Sequence, residues 1–451
     1  MVMENRYDKY KDSGIAWIGE IPEHWNLALV KSIFNRRTKK NNPILTEERL
    51  SLSIEKGVTL YSEKTTNLDR FKEDFTQYQI AYPNDIVLNS MNMIVGAIGI
   101  SHYLGCVSPV YYVIAPKDKN INVNYYGYLL NNFRIRNLYH ALGEGIYAID
   151  RGEGRINTCR LKVSYDKFGS IIVPIPSINE QLSIATYLDQ KCSKIDELIT
   201  LQEEMITKLQ NYKQSVITEA VTKGLDKNVP LKDSGIEWIG EIPEHWEVKR
   251  MKSIYNFGKG LNITKADLVD KGISVISYGQ IHSKLNTGTC IKDSLIKYVP
   301  EIFLENNNAS LVKKGDIIFA DTSEDLEGCG NCIYIDRDML LYAGYHTIIA
   351  KNISTYINRF FSYLFQTDCW RSQIRKMVNG VKLFSIPQKL LSSTDIITPS
   401  LSEQQSIADY LDQKCSEIDK LISIKQQKIE KLKDYKKSLI FECVTGKRKV
   451  S

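Results

Sequence analysis

KDSGIAWIGEIPEHW, residues 11–25, returns as KDSGIEWIGEIPEHW at 232–246, and EQLSIATYLDQKCSKIDELI, residues 180–199, returns as EQQSIADYLDQKCSEIDKLI at 403–422. The first pair shares 14 of 15 residues at an offset of 221, the second 16 of 20 at an offset of 223. Between these blocks lie Asn26–Ile178 and Glu247–Leu401, 153 and 155 residues long, with almost no residue identity. Similarity confined to the edges of two long units is not the pattern of a solenoid, whose repeats recur every ~20–50 residues. The chain is a duplication of one large unit whose frame is kept and whose content differs. Each variable stretch is long enough to be a domain.

The second block reads as a long helix. Ser177 and Ser400 each stand three residues before a glutamate, Glu180 and Glu403, the spacing of a capping box. Downstream, Leu188, Ile195, Leu198, Met205, Leu209, Tyr212 and Val216 fall at heptad-like steps, as do Leu411, Ile418, Leu421, Leu432, Tyr435 and Leu439. Polar Gln202, Lys425 and Lys428 interrupt this seam, and Gly224 and Gly446 stand where a left-handed residue can close a helix. Some 45 residues at about 1.5 Å each would make a rod of roughly 65–70 Å. The first helix leads from one variable stretch to the next and the second follows the other, so antiparallel pairing into a two-helix spacer is expected. Together with strand-like runs in the variable stretches, these helices make the expected fold class α+β, with an internal pseudo-two-fold repeat. A first domain, 1–178, is followed by a helix over 179–224, a second domain over 225–401, a helix over 402–446 and a tail of 447–451.

The first block is punctuated by Gly and Pro and carries Trp17, Trp25, Trp238 and Trp246. It is too irregular for a strand or long helix, so its aromatics are expected to dock against a helix end. His24 and His245 have no nucleophile or carboxylate cluster beside them in sequence and fit the same docking role.

At roughly 150 residues per domain, 451 residues exclude one small domain. Lys plus Arg exceed Asp plus Glu by 59 − 53 = +6, a mild excess compatible with nucleic acid but not diagnostic of it. A hydrophobic content of 43% with 25% charged residues is that of a chain able to bury a core. No leader-like apolar region opens the sequence and no run approaches the ~18 apolar residues of a span, so a cytoplasmic protein without a membrane segment is expected. Nine scattered cysteines suggest reduced thiols.

The common catalytic motifs are absent: no Walker loop, no dinucleotide fingerprint and no His-Glu-x-x-His. Phe257-Gly258-Lys259-Gly260 only faintly resembles a methyltransferase turn, and no Asn/Asp-Pro-Pro-Tyr/Phe accompanies it. Cys329-Gly330-Asn331-Cys332 is half a zinc site at most, so no metal site and no catalytic residue are assigned.

Within the variable stretches one pattern recurs. Tyr82-Pro83-Asn84-Asp85 and Lys314-Gly315-Asp316 are turns followed by β-rich runs whose exits are polar. Polar loops held at a sheet end are suited to reading base edges. The candidate DNA contacts are Asn89, Ser90, Asn92 and Tyr111, with Arg151 and Arg155 of a Gly-rich loop, in the first stretch. Thr322, Ser323, Tyr345, His346, Arg371 and Lys382 are the candidates in the second. The Arg and Lys side chains are apt for phosphate.

The duplicated S-G-I-x-W-I-G-x-I-P-x-H-W segment, the P-x-x-x-E-Q helix openings at Pro176–Gln181 and Pro399–Gln404, and two dissimilar domains between them resemble the specificity subunit of type I restriction-modification systems. The resemblance covers essentially the whole chain. It implies two target recognition domains, each reading half of an asymmetric bipartite site on double-stranded DNA, and two conserved helices whose coiled coil sets the gap. It further implies a non-catalytic subunit docked with two modification subunits that use S-adenosylmethionine to methylate adenine. Restriction subunits, which translocate and cut with ATP and Mg, would complete the assembly. The rival expectation is a coiled-coil scaffold with two protein-binding domains and no DNA role.

Overall fold

The computed structural model describes residues 6–64, 74–145, 161–305, 307–380 and 383–450. It divides into two compact units, Met1–Glu203 with Gln427–Ser451, and Glu204–Gln426, so each long helix contributes to both.

Unit 1 is built on a four-stranded antiparallel sheet of β1 (Phe34–Arg37), β2 (Ile86–Asn89), β3 (Ile98–Ile100) and β4 (Tyr111–Pro116), in the spatial order β1-β4-β2-β3. The run Ile86-Val87-Leu88 is apolar throughout because both faces of β2 are buried. Ile86 and Leu88 join Phe34, Ile114, Tyr125, Tyr126 and Leu129 on one side, while Val87 meets Val113, Leu50, Leu52 and Val58 on the other. The helices α1 (Val123–Asn131) and α2 (Phe133–Leu142) cover the first face. Asn26–Leu29 pairs antiparallel with Ile172–Ile175, so the two ends of the variable stretch leave the frame side by side. The chain then enters α3 (Ile178–Lys223).

Unit 2 repeats this plan with different residues. Strands β5 (Tyr255–Lys259), β6 (Ile317–Ala320), β7 (Cys332–Tyr334) and β8 (Thr347–Asn352) stand in the order β5-β8-β6-β7. Ile317 and Phe319 pack with Phe360, Phe361 and Trp370, and Ile318 and Ala320 with Leu341 and Ala343. Helices α4 (Asn358–Leu364) and α5 (Asp368–Met377) follow. Glu247–Arg250 pairs with Asp395–Thr398, the same paired exit, before α6 (Leu401–Val444).

The recurring turn has one physical cause in both units. Asn84 (φ 69°) and Gly315 (φ 96°) take the left-handed position, which Asn tolerates and Gly favours. The next residue is a buried aspartate that accepts the amide three residues back: Tyr82 N to Asp85 at 2.8 Å and Lys313 N to Asp316 at 3.0 Å. Burial raises both carboxyls above their ordinary value against these hydrogen bonds.

Both long helices open on the expected capping box. Glu180 N donates to Ser177 Oγ (3.3 Å) while Ser177 N donates to Glu180 (3.1 Å), and Ser400 and Glu403 repeat the exchange at 3.4 and 3.2 Å. Gly224 and Gly446 close the helices at φ 75° and 74°. The first sequence block docks on these openings: His24 and Trp25 bond Glu180, and His245 and Trp246 bond Glu403.

In unit 1, Lys436 of α6 pairs with Asp196 of α3 at 2.6 Å, and Tyr187 lies beside Arg448 just past the α6 end. Numbers fall on one helix as they rise on the other, the antiparallel sense. In unit 2, Lys213 makes the same pair with Asp419.

The buried positions run Leu188, Cys192, Ile195 and Gln202 in unit 1, and Val216 and Ala220 in unit 2, with Ile199, Ile206, Leu209 and Lys213 half-buried between them. The corresponding row of α6 holds Leu411, Cys415, Ile418, Ile429, Leu439 and Cys443, all buried, with Leu432 half-buried. These steps alternate four and three. The assignment of Leu198, Met205, Tyr212, Leu421 and Tyr435 to the seam is therefore corrected. They are 43%, 45%, 57%, 48% and 50% exposed, one position before the buried row.

Candidate nucleic-acid interface

In each unit the left-handed turn sits at one end of the central sheet, and the end where β2 or β6 exits carries the polar loops. In unit 1, Asn89 is paired with Tyr111 across β2 and β4. Asn89 is buried, and its side-chain oxygen accepts the amides of Met91 (3.0 Å) and Asn92 (3.3 Å). Ser90 is fully buried and donates to the Val110 carbonyl at 2.9 Å. Both are engaged in folding the loop, which corrects their assignment as DNA contacts. The side chains left facing solvent are Met91, Asn92, Val95 and Val110, with Tyr111 half-buried behind them. Thr38, Lys39 and Lys40, which extend beyond β1 toward the same end, are exposed. Arg151 and Arg155 lie outside the described residues.

In unit 2, Ser323 is buried, donating to Asp325 O (2.7 Å), and is likewise corrected to a loop-folding role. Arg371 is corrected too. Its guanidinium donates to Phe365 O (2.8 Å), Asn331 Oδ1 (2.7 Å) and Gln366 Oε1 (2.6 Å), tying α5 to the loop that precedes β7. Desolvation lowers its pKa, the mark of a guanidinium enclosed by protein. Lys382 lies outside the described residues.

Thr322 is half-buried, and its carbonyl accepts from His282 Nε2 at 2.8 Å. Tyr345 and His346 stand at the entry to β8, where His346 is exposed with φ 54°. His346 Nδ1 lies 3.2 Å from Asp321 Oδ1. Tyr278 closes an aromatic cluster, its ring centroid 5.6 Å from Tyr345 and 5.4 Å from His346.

Sequence reasoning missed Asp321, Tyr278, Met91 and Val110. Asp321 stands in the polar exit of β6, directly before Thr322, and was passed over for its neighbours, whereas Tyr278 is remote in sequence from both β6 and β8. Met91 and Val110 were passed over because apolar residues in loops carry no polar signature, although a thymine methyl is read by apolar contact.

Unit 1 also holds a cleft of about 1170 Å³ between its domain and the helices, lined by Lys56, Arg136, Lys433 and Lys437 together with Asp189 and Asp196. Both signs of charge face it. Among the described residues, no group of three His, Cys, Asp or Glu could hold a metal, and no helix is long and apolar enough to cross a membrane. The thiols of Cys329 and Cys332 are pushed up by burial, that of Cys332 to about 11.

The arrangement is thus one scaffold used twice with unlike tips: apolar residues and an asparagine in unit 1, a histidine, an acid and two tyrosines in unit 2. A family model described as the type I restriction modification DNA specificity domain matches residues 243–434. A putative type I restriction enzyme MjaX specificity subunit of Methanocaldococcus jannaschii is 25% identical over 452 residues, 96% of either chain. The MjaVIII specificity subunit of the same organism is 27% identical over 286 residues, and the chain spans 63% of that relative's length. Among solved structures, a chain from work on complex assembly and conformational transition of the type I R-M system aligns with a TM-score of 0.68 at 13% identity, covering 94% of this chain and 98% of its own. The HsdS subunit from Thermoanaerobacter tengcongensis aligns over the same shares, also at 13% identity, with a TM-score of 0.52. At that identity the likeness is one of fold.

Proposed function

We infer that this chain is a specificity subunit of a type I restriction-modification system, that it acts as the DNA sequence-recognition subunit of such a complex, and that it carries no catalytic site of its own. The observation that carries this reading is the pairing of a duplicated frame with two unlike sheet ends. A reader of one symmetric sequence needs two like tips, whereas a reader of an asymmetric bipartite site needs two unlike ones on a common mount. Unit 1 then reads one half-site through the loop around Asn92 and Tyr111, and unit 2 the other through Thr322, Tyr345 and His346. The helices α3 and α6 set the gap.

The partners in this reading are double-stranded DNA, two modification subunits carrying S-adenosylmethionine, and restriction subunits working with ATP and Mg. The mild net charge of +6 fits a subunit that shares phosphate neutralisation with its partners. A coiled-coil scaffold without a DNA role is not favoured by the family match.

The test is reconstitution with the modification subunits and titration of a labelled DNA pool at rising salt. Binding that weakens steeply with salt, and methylation confined to one bipartite sequence, is expected. Absence of any DNA binding by the assembled complex would overturn the reading.

A further inference from the structure

We propose that Asp321 and His346, flanked by Tyr278 and Tyr345, form the base-selecting element of unit 2, and that they take an exocyclic amino group, the N6 amino of adenine or the N4 amino of cytosine. The proposal rests on the reading of this chain as a DNA-recognition subunit and adds which atoms select.

The chemistry follows from the proton inventory. A carboxylate only accepts hydrogen bonds, so the 3.2 Å contact between Asp321 Oδ1 and His346 Nδ1 places the proton on Nδ1. With that proton on Nδ1, the neutral tautomer, which the proposal assigns, presents Nε2 as an acceptor, and among the described residues no hydrogen bond is made to Nε2. An acceptor at this place, Nε2 or the Asp321 carboxylate, matches the exocyclic amino donor of adenine (N6) or cytosine (N4) in the major groove and is repelled by O6 of guanine or O4 of thymine. Asp321 and His346 are also joined through the backbone, Asp321 N donating to His346 O at 3.1 Å, so the pair moves as one piece.

The tyrosines supply the walls. Tyr278 meets both Tyr345 (5.6 Å, 67°) and His346 (5.4 Å, 75°) edge to face, and Tyr345 meets His346 at 6.0 Å. The two tyrosine rings fix the imidazole plane without using its outer nitrogen. His346 is held at φ 54°, a left-handed conformation disfavoured for residues with a Cβ. A fold indifferent to that side chain would be served better by glycine. Unit 1 has Val110 one residue before Tyr111, where unit 2 has His346 one residue before Thr347, so the two units offer different chemistry at one topological place.

The experiment uses the complex reconstituted with its modification subunits, after methylation mapping has defined both half-sequences for the unaltered chain. Each adenine of the half-site assigned to unit 2 is replaced in turn by purine, which lacks the N6 amino group, and each cytosine by 2-pyrimidinone, which lacks the N4 amino group. One position is expected at which the analogue weakens binding on the order of ten-fold or more, and which of the two analogues does so identifies the base. His346→Gly relieves the backbone strain, so its thermal midpoint should equal or exceed that of the parent. It should nonetheless abolish the analogue effect at that position and leave the other half-site unchanged. Asp321→Asn should do the same in part. Full discrimination by both variants at every position would overturn the proposal while leaving the recognition reading intact. A parent complex with no sequence preference at all would sink that reading, and this one with it.

Discussion

Trp25 Nε1 donates to Glu180 Oε1 at 3.0 Å, and Trp246 repeats the bond to Glu403 at 3.0 Å across a duplication that left little else in the intervening domains alike. The carboxylate is the meeting point of the frame: it caps its own helix, accepts from the indole of the first block and takes the ring of His24 or His245. Burial favours the neutral acid, but the hydrogen bonds from Trp25, His24 and Ser177 outweigh it and hold Glu180 down at about 2. Those from Ser400, Trp246 and His245 do the same for Glu403.

A pH dependence follows. A carboxyl whose folded pKa lies below its unfolded one contributes stability that is present above the unfolded value and lost as pH falls through the folded one. With an ordinary value of 4.5 and a folded value of about 2, the loss falls between those limits for both glutamates. The thermal midpoint of the parent should exceed that of Glu180→Gln by a margin that is constant near neutrality and shrinks as pH drops below about 4.5. A margin that stays the same down to pH 3 would show that the ionised form is not what the frame holds. Trp25→Phe should cost about 1–2 kcal/mol at neutral pH through the bond to the charged acceptor.

The helix phase supplies a second test. The existence of the helices, their capping boxes and their closing glycines were legible because each is a local signal within a few residues. The phase was not, because the apolar stripe is two positions wide. Leu198, Met205 and Tyr212 mark one heptad row, while the adjacent row holds Ile199, Ile206 and Lys213, whose lysine reads as a surface residue. Lys213 is nevertheless half-buried, since Asp419 lies 2.7 Å away to receive it, and only the partner helix could reveal that. Ile195→Ala and Ile418→Ala should each cost about 2–4 kcal/mol, as a buried aliphatic does. Leu198→Gln and Leu421→Gln should stay within about 0.5 kcal/mol. Chemical denaturation of the four variants checks the phase, and the reverse ranking would restore the exposed row to the seam.

The paired cysteines yield a third. Cys329 and Cys332 are both buried, and Cys332 accepts from Gln366 Nε2 at 3.2 Å. A thiol raised to about 11 is almost entirely protonated at pH 8, and the thiolate is the nucleophile. Iodoacetamide at pH 8 should therefore leave Cys332 unmodified in the folded chain and alkylate it in denaturant, as read by peptide mass. Rapid labelling of the native protein would return the Cys-x-x-Cys to consideration as a reactive pair.

What the sequence could not convey about the tips has the same origin as the misplaced seam. Whether a polar side chain at a strand exit faces solvent or folds its own loop depends on carbonyls brought in from elsewhere. Ser90 finds Val110 O, twenty residues on, and Arg371 finds Asn331, forty residues back. Chemistry and loop position pick out such residues together with exposed ones such as His346, and only tertiary contact separates them.

The frame grips its domains by backbone, which makes exchange the most demanding test. Gln181 Oε1 accepts from Asn122 N at 2.8 Å, and Gln404 Oε1 accepts from Ile357 N at 2.8 Å, so the same glutamine holds two different residues through a group every non-proline residue has. The exits are equally indifferent to side chains, being pairs of antiparallel strands, Asn26 opposite Ile175 and Glu247 opposite Thr398. Replacing residues 26–178 by the corresponding stretch of a chain with the same frame blocks transfers both strands of the exit together and preserves its register. The chimera should unfold in one cooperative step within a few degrees of the parent, and methylation mapping should show one half-sequence changed and the other, with the gap, retained. Gln181→Ala in either background should cost about 1–2 kcal/mol by leaving that amide unpaired. A chimera that folds but alters both half-sequences would mean that the two readers are not independent and that the frame itself takes part in choosing the bases.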